Sequence, residues 1–152
     1  MDMAKQCRLE TETLHDFLRD WLVGALPRTD DAFARFRDVM APGLMVISPL
    51  GTRTELNDLL TEFESIHGVL AARKDSFRIE VKNYECHRLI GEQALVTYEE
   101  WHMDGDDVSA RLSTVLYGPK RGTPHGVEWQ HVHETWLPGL APAAGERFPE
   151  PR

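Results

Sequence analysis

The chain is poor in cysteine, and its two, Cys7 and Cys86, lie far apart with no C-x-x-C spacing. Two thiols in 152 residues make neither a disulfide framework nor a cysteine zinc site. Basic clusters are missing as well. Net charge is −8, so a nucleic-acid backbone or an anionic membrane surface is repelled on average. No apolar run approaches the roughly 20 residues of a membrane-spanning helix. The opening MDMAKQCRLETET lacks the basic-then-apolar profile of a secretion signal. The expectation from these absences is a cytoplasmic protein with no nucleic-acid or membrane partner. Nor is there a G-x-S-x-G elbow, a glycine-rich phosphate loop or an H-E-x-x-H pair.

What is present divides by period. The stretch LETETLHDFLRDWLVGAL sets Leu14, Phe17, Leu18, Trp21, Leu22 and Ala25 at helical spacing, with Pro27 after it. TDDAFARFRDVM begins on a capping residue, Thr29 or Asp30, buries Phe33, Phe36, Val39 and Met40, and stops at Pro42-Gly43. LMVISP is a short β-branched strand. TELNDLLTEFESIHG is a third helix, with Gly68 at its C-terminal cap. From Ser76 onward the period falls from 3.6 to 2, and four runs, FRIEVKNYECHRLI, QALVTYEEWHMD, VSARLSTVLYGPK and VEWQHVHETWL, predict an antiparallel meander. Asp104-Gly105-Asp106 turns one of its hairpins. Helices first and strands after make the class α+β. The organisation expected is an N-terminal arm over 1–8, one domain over 9–138, and a proline-rich, extended or disordered tail over 139–152.

Three helices, a short strand among them and a four-stranded meander follow the element order of the NTF2-like superfamily. MVISPLG, YEEW, ARLSTVLY and VEWQHVHETWLP resemble its SnoaL-like, DUF4440-type branch, over roughly residues 9 to 138. The resemblance implies a cone, a curved antiparallel sheet wrapped around the helices with a pocket open at one end. It also implies pairing of two copies through the outer sheet face. Its members include isomerases, cyclases, dehydratases and hydrolases of small, largely apolar molecules, and others that only bind or assemble.

Ionisable side chains at i, i+2 on aromatic-rich strands supply the candidate site. Tyr98, Glu100 and His102 alternate onto one face of their strand, and enclosure of Glu100 would raise its pKa toward that of a working base. His131 and His133 also share a face, with three readings open: metal ligands completed by His102 or Glu100, a proton-transfer pair, or core groups. The expectation set here is proton-transfer chemistry with no cofactor and no metal. Glu100, His131 or His133 moves the proton, and Tyr98 or His102 steadies an oxyanion. Arg111, a lone cation in an apolar strand, either anchors a ligand carboxylate or pairs with a glutamate across the sheet. Trp101, Trp129 and His15 complete the expected ligand contacts. The rival expectation is a homodimeric binding or assembly module with no chemistry.

Overall fold

The computed structural model describes residues 2–142. Helix α1 runs over Met3–Leu22, α2 over Asp30–Arg37 and α3 over Leu56–Ser65. The strands are β1 (Met40–Ile47), β2 (Arg53–Glu55), β3 (Arg78–Ile90), β4 (Gln93–Asp104), β5 (Asp107–Pro119) and β6 (Val127–Trp136). They form one curved sheet in the order β2-β1-β6-β5-β4-β3, antiparallel except where β1 lies parallel to β6. The α+β cone and the β3–β6 meander expected from the sequence are both there.

Helix α1 begins earlier than its apolar stripe suggested. The Asp2 side chain accepts from the Ala4 N–H and caps it, so most of the expected arm is helix. Cys7, fully buried, extends the stripe before Leu14, and the Tyr84 hydroxyl of β3 donates to the Ala4 carbonyl. The other end stops at Leu22, before Pro27, because Gly24 takes φ +73° and turns the chain left-handed. The Thr29 hydroxyl caps α2 by accepting from Ala32 N–H. Pro42-Gly43 does not end an element. It bulges out of β1 between Met40, opposite Trp129, and Met45, opposite His131.

The core lies between the concave sheet face and the helices, with Trp21, Phe33, Phe36, Tyr98, Tyr117 and Trp129 among its larger members. Of the tail, residues 143–152 lie outside the described residues. Its first part folds back: the Leu137 N–H donates to the Ala110 carbonyl, and the Ala110 N–H donates to the Leu140 carbonyl.

A candidate ligand cavity in the cone

One irregularity decides which side chains enter the cone. In β6, Val127 and Trp129 point inward, and strict alternation would bring His131 and His133 in after them. The ladder with β5 slips instead: Trp129 pairs with Tyr117 and His131 with Leu116, leaving Gln130 as an extra residue. Beyond this bulge the phase is inverted. Val132 and Glu134 are buried, and His133 is exposed. His131 and His133 therefore stand on the outer sheet face, paired across to Met45 and Ile47, and cannot meet Glu100 or His102. Their expected proton-transfer role falls with that placement, as does the metal reading.

The cavity so lined is about 80 Å³ and opens to one side. Twelve of its seventeen lining residues are apolar, among them Leu14, Leu18, Phe36, Leu44, Phe63 and Trp129. The other five, His15, Tyr98, Glu100, Arg111 and Glu134, provide its polar groups. Four of them are among the expected site residues, and Trp129 lines the cavity as well. Trp101 is not: it lies on the opposite face of β4, donating to Glu99 at 3.0 Å with the Lys82 ammonium 4.3 Å above its ring. His102 is buried but stands behind Glu100, its ring edge-on to Phe77. Glu134 and Ser113 were missed.

Two polar groupings meet in the cavity. In the first, the His15 Nδ1–H donates to the Thr11 carbonyl at 2.7 Å, an acceptor that can only be met by a protonated nitrogen. His15 Nε2 faces Glu100 Oε1 at 3.0 Å, so a proton must sit between imidazole and carboxylate. His102 Nε2 holds the other oxygen at 2.5 Å, and the Tyr98 hydroxyl lies 3.4 Å from His15 Nε2. Burial pushes the Glu100 pKa up, but the His15 charge and the bonds from both histidines outweigh it and hold the carboxyl well below its ordinary range. Burial works against a charged His15, yet the Glu100 carboxylate raises its pKa on balance. Glu100 is thus an ionised carboxylate beside an imidazolium, the reverse of the raised pKa expected from enclosure alone.

The second grouping joins β5 to β6. Arg111 Nη1 donates to Glu134 Oε1 at 3.3 Å, the Ser113 hydroxyl donates to Glu134 Oε2 at 3.2 Å, and the guanidinium lies 4.6 Å over the Trp136 ring. Burial raises the Glu134 pKa, Arg111 opposes it, and the nearby Glu100 charge adds to the rise, which prevails. One cavity therefore holds two carboxyls pushed in opposite directions, the arrangement that separates a fixed charge from a group able to exchange protons. Among the described residues, no group of three or more His, Cys, Asp or Glu is placed to hold a metal ion.

Fold and cavity together define an NTF2-like domain. Within that superfamily the chain belongs to the family described as sucrose-6-phosphate phosphohydrolase C-terminal, whose profile matches residues 14–138. Sucrose-phosphatase 2 of Nicotiana tabacum is 29% identical over 126 residues, covering 82% of this chain and 29% of that protein. The chain so spans under a third of the length of the curated relatives it matches. An NTF-2 like protein of unknown function from Pseudomonas aeruginosa is 26% identical, with a TM-score of 0.74 over 87% of this chain and 98% of that one. The calcium/calmodulin kinase II hub homology domain of Chlamydomonas reinhardtii is 13% identical at a TM-score of 0.61, over 90% of this chain and 99% of its own, and shares the fold alone.

Proposed function

We propose that this domain binds a small, largely apolar molecule in the cone and moves a proton on it without a cofactor, as SnoaL-like domains of the isomerase, cyclase or dehydratase type do. The observation that carries this reading is the pair of buried carboxyls in a mostly apolar cavity, Glu100 gripped by His15 and His102 at 3.0 and 2.5 Å and Glu134 met by Arg111 and Ser113 at the longer 3.3 and 3.2 Å. Glu134 takes the proton from carbon and returns it. The electron pair moves onto the substrate oxygen, where the Tyr98 hydroxyl donates to the developing charge, while His15, whose two N–H groups are engaged by Thr11 and Glu100, contributes only its nearby positive charge. Glu100 is the counter-ion that keeps His15 charged. A sugar phosphate suits these walls poorly: its hydroxyls would face twelve apolar side chains, and the cavity is well under the roughly 300–1,000 Å³ of sites for larger ligands. The name of the phosphatase relatives therefore does not supply the substrate.

Hydrogen exchange tests this across a whole class of compounds. Small ketones and aldehydes incubated with the protein in D2O should exchange α-protons, followed by proton NMR, and Glu134→Gln should slow the exchange about 100-fold. Undiminished exchange by that variant would remove Glu134 from the chemistry. No exchange with any carbonyl compound would leave binding without catalysis.

Pairing with a second copy of this chain is the expected partnership. Its support is the outer sheet face, where Leu112 is 36% exposed and stands between Glu99 and Thr135 on the neighbouring strands.

A further inference from the structure

Strand β3 is irregular where it passes β4. Its ladder slips between Lys82 and Glu85 and again between Cys86 and Arg88, giving two bulges close together. Asn83, in the first, takes φ +54°, a left-handed conformation that disfavours a residue with a side chain. The second leaves His87 as an extra residue between Cys86, opposite Val96, and Arg88, opposite Leu95. Bulges of this kind re-aim side chains, and here the imidazole is turned over β4 onto Thr97. Three groups then stand in line on the sheet face turned away from the cavity. The His87 Nδ1–H donates to Glu85 Oε2 at 2.9 Å, and the Thr97 hydroxyl meets His87 Nε2 at 2.5 Å. A carboxylate only accepts, so the imidazole proton sits on Nδ1 and Nε2 accepts from Thr97. Carboxylate, imidazole and hydroxyl in this order activate an oxygen nucleophile, because the base touches the hydroxyl and a third group orients the base. The His87 side chain is 37% exposed, so water and a substrate can reach the ring.

We propose that Thr97 is a nucleophile for acyl transfer from activated esters, with His87 as its general base and Glu85 as the positioning residue. The Thr97 oxygen attacks the acyl carbonyl carbon while its proton passes to His87 Nε2. The tetrahedral intermediate expels the alcohol, which takes that proton, and an acyl-threonine remains. Water then attacks the same carbon, gives a proton to His87, and the acid departs as that proton returns to the Thr97 oxygen. Ester and water become alcohol and acid, with no other reactant consumed. The open face sets the substrate class. It encloses no oxyanion, so the leaving group must be weakly basic, as in an aryl ester. Leu95 and Leu116, paired across β4 and β5 beside Thr97 and Thr114, give a short acyl chain an apolar footing. This site is separate from the cone, since Thr97 alternates outward where Tyr98 points in.

Hydrolysis of p-nitrophenyl butyrate tests it, with mass spectrometry of the digested chain to locate the acyl group. Pairing of two copies through this face would shield Thr97, so the assay is run on the wild type and on Leu112→Glu. Butyryl should appear on the peptide carrying Thr97 and turn over, in both proteins or in Leu112→Glu alone. Thr97→Val, close to threonine in shape, should carry no butyryl at that position. It and His87→Gln should each slow hydrolysis about 100-fold. Glu85→Gln should lower kcat about tenfold and leave KM unchanged, the mark of a base held less well rather than of a lost binding contact. Thr97→Val hydrolysing the ester as fast as its parent would overturn the proposal. So would butyryl found only on other residues, or no turnover by either parent protein.

Discussion

Three buried glutamates show how one side chain takes on different work in different surroundings. Glu10, with 0% exposure, accepts two bonds from Arg35, one from the Trp129 indole and one from His125, tying α1 to α2 and to the loop before β6. That saturation makes it a structural anchor. Glu10→Ala strands a guanidinium and an indole N–H, and should lower unfolding free energy by about 3 kcal/mol in urea titrations, whereas exposed His133→Ala should stay within about 0.5 kcal/mol. Glu134 should reveal itself through pH. Folding raises its pKa, so the folded chain binds more protons there than the unfolded chain, and the group's contribution is present in acid and lost as pH rises above about 4.5. Glu134→Gln removes that loss, so the variant should gain on wild type in denaturant stability from pH 4.5 upward. A constant difference between the two across that range would contradict the raised pKa. Glu100 and His15 work in a complementary window. The Glu100 contribution is present above about 4.5 and lost as pH falls through its lowered folded value, and that of His15 is present below about 6.5 and lost as pH rises through its raised one. Alternation along the strand placed Tyr98, Glu100 and His102 on the inner face. It could not supply the sign of the Glu100 shift, because His15 reaches that carboxylate from 85 residues away in sequence.

At the scale of elements, the bulge in β6 matters most. Its traces are legible in hindsight: the buried apolar positions Val127, Trp129 and Val132 are spaced by two and then three, and Gly118 sits within the neighbouring strand. A Cβ on Gly118 would come within 2.1 Å of the Gln130 amide, so the glycine makes room for the extra residue. That amide also accepts from Gln93 at 2.6 Å and donates to Glu128 at 3.1 Å. Gly118→Ala should therefore cost on the order of 1 kcal/mol. In a double-mutant cycle by thermal denaturation, Gln130→Ala should remove most of that cost, since the two side chains compete for one space. Additive effects would mean that Gly118 is needed for another reason. The start of α1 was hidden for a different reason. Apolar periodicity marks the buried stripe from Leu14 on, whereas the Asp2 cap is a single residue and the anchoring of Ala4 to Tyr84 is a tertiary contact.

At the scale of the molecule, the switch from a 3.6 to a 2 period and the hairpin turn at Gly105 sufficed to read the α+β class and the meander, because both are local signals; the closing of the sheet into a cone came from the resemblance to the NTF2-like superfamily. The polar interior depended on register and was less legible. The outer face gives a prediction at this scale. Leu112→Glu, which puts a charge on an already exposed position, should leave thermal stability at low concentration within a few degrees and shift the molar mass in sedimentation equilibrium from dimer to monomer. A wild-type chain that is monomeric at every concentration would remove the pairing. The central claim is that one apolar cavity keeps Glu100 ionised and lets Glu134 hold a proton. Carbon-13 NMR titration of the glutamate carboxyls, assigned by Glu100→Gln and Glu134→Gln, measures it directly. Glu134 should titrate above, and Glu100 well below, the ordinary glutamate value near 4.3; two carboxyls titrating together at that ordinary value would contradict the account.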